Sequence, residues 1–188
     1  MQSTVSVTHG RLLRLSSLAA AAWACSAAVA SAQTPVLLPD TGQTTTLTAT
    51  VGDQARLTVP SGVTFAVNDV NGSTTSSAAS VTVSNIVLAS ATKQLRISLQ
   101  ADAATFTPPA SGAATWAAGD VSWGAASWTN ASGAAGTLSS TAYNPVATCA
   151  ADTSSCSTTG LTFTLAANAS VKRSGAHTLV VRWKLESI

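Results

Sequence analysis

Past its first 32 residues the sequence holds one histidine (His177), one glutamate (Glu186) and six aspartates. General acid–base and nucleophilic catalysis need groups of this kind brought together and tuned. His177 enters the last predicted strand beside a turn, with no Ser-containing elbow and no adjacent acid, and reads as a surface histidine. Glu186 has no carboxylate partner near it in the sequence. Aspartates far apart in sequence can still meet in a fold, so a two-carboxylate hydrolase stays as a third possibility. The first expectation is a protein without enzymatic activity, catalytic set or cofactor.

Other polar groups carry ligand chemistry. The run Asn68-Asp69-Val70-Asn71-Gly72-Ser73 clusters oxygen ligands of the kind calcium takes. The later bidentate acid of a full calcium loop is missing, which leaves a polar loop tip and no expected metal site. Cys149 and Cys156 are the two cysteines beyond the leader. With only His177 to join them they cannot complete a four-ligand zinc site, so in an oxidising compartment they are expected to pair as a disulfide. Trp116, Trp123 and Trp128 fall close together. If 121–129 is one strand, Trp123 shares a face with Val121 and Ala125, and Trp128 faces outward over Gly124 and Ala126. Trp128, with Trp116 as an optional second ring, is then a flat apolar platform for a sugar ring or a protein partner. A bulge at Gly124 would reset the alternation and turn the rings into the core.

The elements that hold these residues follow period two. Thr46, Thr48 and Thr50 alternate with Leu47, Ala49 and Val51. Ala55, Leu57 and Val59 follow a Gly52-Asp53 turn, and 63–67 is a short strand after Pro60-Ser61-Gly62. Further strands are expected at 81–88, 94–100, 121–129 and 161–165, and at the end, where Leu179, Val181, Trp183 and Leu185 share a face and Trp183 is core. About eight or nine strands, each with one apolar face, predict an all-β antiparallel β-sandwich, Ig-like or pilin-like, with a small β-barrel as the alternative.

The N-terminus predicts export. Arg11 and Arg14 precede an apolar run over 15–29 and the small residues Ala30, Ser31 and Ala32. This is the order of a secretory signal cleaved near Ala32/Gln33. A lipid-modified Cys25 is the rival reading, although Ala22-Trp23-Ala24 before it lacks the usual Leu. The domain expectation is a signal over 1–32, a linker or arm over 33–43 and one domain over 44–188, with no transmembrane span. Nine Lys and Arg stand against seven Asp and Glu, and two of the cations lie in the signal. A neutral processed chain gives no basic surface for nucleic acid. The location expected is secreted, periplasmic or at the cell surface.

The stretch Gly175-Ala-His-Thr-Leu-Val-Val-Arg-Trp183-Lys184-Leu185 resembles the end of WxL-type domains. These are exported, β-rich and associated with the bacterial cell wall. Their upstream Trp-x-Leu falls in the region of Trp123-Gly124-Ala125 and Trp128-Thr129-Asn130, neither of which has the Leu. The layout, with a closing strand of alternating apolar residues after Gly175, also resembles pilin-type subunits assembled by donor-strand exchange, including spore-coat-U-like proteins. The segment 44–51 is then either an arm for a neighbour's sheet or the first strand of its own domain, the latter preferred. The expected function is a non-enzymatic secreted or cell-surface β-sandwich protein in structure, adhesion or assembly. The alternatives are a carbohydrate-binding module using Trp128 and Trp116, and a pilus-type subunit. The expected partners are cell-wall or extracellular glycan, or like subunits.

Overall fold

The structure is a computed structural model and describes residues 38, 39, 42 and 44–188. The expected signal over 1–32 with its Cys25, and most of the expected linker over 33–43, lie outside the described residues. The chain divides into two units, 1–47 and 48–188. The second is nearly all β, with eleven strands in three antiparallel sheets and no closed barrel among the described residues.

The strands are β1 (Gln54–Thr58), β2 (Thr74–Thr75), β3 (Ala79–Val87), β4 (Leu95–Ala101), β5 (Val121–Trp123) and β6 (Ala131–Gly133). Then come β7 (Gly136–Thr137), β8 (Asn144–Cys149), β9 (Cys156–Leu161), β10 (Phe163–Leu165) and β11 (Val181–Ser187). The first sheet has the order β1-β3-β9, the second β2-β10-β5-β7 and the third β11-β4-β8-β6. One 3₁₀ turn, Ala118–Asp120, leads into β5, and the Asp120 carboxylate accepts from the Ala117 N–H at 2.8 Å.

Alternation puts the apolar faces inside. Val81 and Val83 of β3, Ile97 and Leu99 of β4, and Leu161 at the end of β9 are completely buried. One part of the core joins the first and third sheets through Val83, Ile86, Leu95, Ile97 and Ala147. The other gathers Phe106, Trp116, Trp123, Phe163 and Leu165 around Leu99 and Val81. The expected disulfide between Cys149 and Cys156 is formed, with Cα atoms 5.8 Å apart. It ties the end of β8, in the third sheet, to the start of β9, in the first. Closing so short a loop stabilises by about 2.5 kcal/mol in the chain-entropy account.

Three expected strands differ. Residues 44–51 form no strand, and neither do 63–67, although the latter keep their alternation of half-buried and exposed positions. A strand is defined by its partner's hydrogen bonds, and among the described residues both runs lack one. The expected strand over 121–129 ends at Trp123. β5 pairs with β10 in the second sheet, whereas Thr129 bridges Ser157 in the first. The chain changes sheets between them, so face parity is not carried across.

Candidate functional site: an apolar groove beside the last strand

The change of sheet decides where the tryptophans go. Trp123 is buried, its ring 6.1 Å from Phe163 edge to face. Trp128 also turns inward and packs half-buried against both parts of the core. Trp116 is only 4% exposed. Its Nε1 donates to the Ala166 carbonyl at 2.9 Å, and Phe106 and His177 meet its ring edge to face. Trp116, expected as an optional second ring of a stacking platform, is thus packed into its own domain, and Trp128, expected as the first, keeps part of its surface uncovered. Buried rings of this size supply much of the apolar area of a core with few large residues.

His177 bonds Thr115 through Nδ1 at 2.7 Å, and its Nε2 lies 3.2 Å from the Arg173 carbonyl. Among the described residues no acid completes a catalytic set around it. Glu186 is held below the ordinary carboxylate range, first by the Lys184 ammonium and then by Arg96. Asp69 folds back on the N–H and amide of Asn71, as a loop tip does. Among the described residues no group of three or more His, Cys, Asp or Glu side chains is placed to hold a metal ion. No helix among them is long and apolar enough to cross a membrane.

The prominent concavity is an apolar groove of about 940 Å³. One wall is the segment after β1, where Val63, Phe65, Val67 and Val70 point inward and are each only half-buried. The other wall is the segment leading into β11, with Leu179, Val181 and Trp183 also half-buried. Leu99, Trp116, Phe163 and Leu165 form the floor. Apolar side chains that alternate cleanly but stay half-buried mark a core whose top layer is incomplete.

Both walls lack backbone–backbone partners in the same way, the Arg173 carbonyl meeting only the His177 ring. Among the described residues no backbone–backbone hydrogen bond engages 59–68, and none engages 172–177. Thr178 exchanges both bonds with Thr107, and Val180 accepts from the Asp102 N–H. By strand alternation the N–H and C=O of Leu179 point the opposite way, along the groove, and they have no backbone partner among the described residues. β11 is an edge strand whose partner lies on one side only. The far end of the groove is drawn together where the Asn168 N–H donates to the Val70 carbonyl at 2.7 Å. The walls thus run antiparallel to each other, open over about the length of one strand.

Residues 44–51 have the complementary character. Leu47 is 91% exposed and Val51 64%. No hydrogen bond engages 44–51 among the described residues. Sequence reasoning alone misses Val63, Phe65, Val67 and Leu179 as wall residues. Their signal is present as alternation, but alternation does not say what covers the apolar face.

No family model matches this sequence, and comparison with curated proteins and with solved structures finds no match.

Proposed function

We propose that this protein is a non-enzymatic exported assembly subunit whose groove accepts an extended strand donated by another copy, residues 44–51. The observation that carries the reading is the pairing of two incomplete features in one chain. One is an apolar trough whose walls lack backbone–backbone bonds over 59–68 and 172–177 among the described residues. The other is an exposed run whose apolar residues recur at every second place. Strand addition joins such features through main-chain hydrogen bonds along the edge and side-chain pockets at alternate positions. It would also cover an edge strand that otherwise invites unregulated pairing.

Connectivity favours donation to a neighbour over self-insertion. A tight turn at Gly52-Asp53 sets residue 51 opposite 54 and residue 47 opposite 58. Leu47, Ala49 and Val51 would then lie beside β1, short of the wall formed by Val63, Phe65 and Val67. Only 33–43 would reach that wall, and Pro35, Pro39 and Gly42 interrupt its ability to pair. In a second copy the run is free to enter along its whole length.

Two variants test the reading in combination. Leu47→Asp with Val51→Asp removes the donor, and Val63→Asp blocks the groove. Each variant alone is expected to stay monomeric in sedimentation velocity, and the mixture is expected to form a one-to-one pair, because one intact donor meets one intact groove. If the unmodified protein stays monomeric at every concentration, or if each variant assembles as well as the parent, the proposal is wrong.

A further inference from the structure

Lys172 and Arg173 stand on the rim of the groove, and the groove lining contains no acidic residue. Both are exposed. Among the described residues neither takes part in an ion pair, whereas Lys93, Arg96, Arg182 and Lys184 are all paired. Their place along the groove is fixed. Val171 beside them is buried, and the Asn168–Val70 bond closes that end. Two unpaired cations therefore flank one end of an apolar trough. The matching occupant is an alternating apolar strand that finishes in a carboxylate.

The run 44–51 finishes that way, with Gly52 and then Asp53. On its other side come Gln43 and Gly42, and the nearest acid there, Asp40, is four places from Thr44. Resting on the strand-donation reading above, we infer that Lys172 and Arg173 of one copy receive the Asp53 carboxylate of the copy whose 44–51 fills the groove. Asp53 sits at the root of β1, where it accepts from the Ala89 N–H at 2.6 Å and pairs with Lys93 at 2.8 Å. Its side chain keeps 27% of its surface exposed, and an ionised carboxylate has acceptor sites beyond the two in use.

The donated strand runs antiparallel to the 172–181 wall, the more stable of the two pairings. The donor's own domain begins at the cationic end, so the contact is head to tail and each copy keeps a free groove or a free arm. Contacts of this type propagate as an open chain unless a ring closes. Opposite charges at the docking ends also steer approach and select direction.

The receptor for the test is the full chain carrying Leu47→Asp and Val51→Asp, which cannot donate. The probes are amidated peptides of residues 44–53, unmodified and with Asp53→Asn. The unmodified peptide is expected to bind, and the Asp53→Asn peptide to bind about 3- to 10-fold more weakly at low salt, as for one or two exposed ion pairs. The difference should shrink at about 0.5 M salt. A receptor also carrying Lys172→Glu and Arg173→Glu should lose affinity for the unmodified peptide and no longer distinguish the two. A nitroxide on the peptide C-terminus should broaden the amides of 171–174 and spare those of 61–63. Equal binding of both peptides, or broadening at 61–63, would overturn the charge contact while leaving strand donation intact. Binding of neither peptide would overturn both.

Discussion

Replacing Leu47 and Val51 together by alanine separates a strand that belongs to its own fold from one that is given away. In the isolated chain Leu47 is 91% exposed and Val51 64%, so the double change removes almost no buried area. The thermal unfolding midpoint should stay within the range of ordinary surface substitutions, about ±0.5 kcal/mol in stability. In the assembled state both side chains would lie on Phe65, Val67, Leu179 and the floor of the groove. Full burial of a Leu or Val side chain stabilises by about 1.5–3 kcal/mol. Alanine keeps part of that, so the two changes together should remove about 3 kcal/mol from association. That is about a 150-fold rise in the dissociation constant. Sedimentation equilibrium over a concentration series measures the association, and calorimetry measures the midpoint. A midpoint lowered by many degrees with association unchanged would refute the reasoning, because the run would then be part of its own domain.

Three further outcomes are expected. Cys149→Ala with Cys156→Ala should lower unfolding stability in urea by about 2.5 kcal/mol; an unchanged urea midpoint would show that the link between β8 and β9 contributes nothing. Gly136→Ala places a methyl 2.6 Å from the Trp123 ring, an overpacking that should cost about 1–3 kcal/mol and alter near-ultraviolet circular dichroism; a silent substitution would mean that Trp123 packs elsewhere. Asp53 is held below the usual carboxylate range, by Lys93 first and then by the Ala89 N–H, and Glu186 is held there by Lys184 and Arg96. Lowered folded values mean that their stabilisation is complete above about pH 4, the unfolded carboxylate value, and is lost as pH falls through the folded values. The thermal midpoint should therefore fall below that pH less steeply in Asp53→Asn with Glu186→Gln than in the parent, and equal slopes would contradict the assignment.

The sandwich-like, all-β fold is legible in the sequence because Leu95, Ile97 and Leu99, like Val81 and Val83, recur at every second place, and only packed sheets bury that pattern. The disulfide is legible from two cysteines, Cys149 and Cys156, that have too few further ligands beside them to complete a zinc site. Other features are not. Periodicity marks 44–51 and 63–67 as strand-like, but period two is a property of one run, and the partner that completes a strand is a property of the whole fold. Face parity does not carry from Trp123 to Trp128, because between Trp123 and Thr129 the chain leaves the second sheet for the first. Alternation marks Leu179 and Trp183 as core. They do face inward, but the layer above them is only partly built, and no count of apolar residues along one segment reveals that. Short strands such as Thr74–Thr75 and Gly136–Thr137 escape a sequence reading because two residues carry no periodicity.

Strand donation makes the walls at 61–67 and 173–179 the edges that a second copy's 44–51 pairs with. Amide hydrogen exchange on monomeric and assembled protein measures those edges directly. Fast exchange is predicted at alternate residues of both walls and throughout 44–51 in the monomer, with strong protection of all three segments on assembly. Assembly that leaves all three exchanging as in the monomer would contradict it.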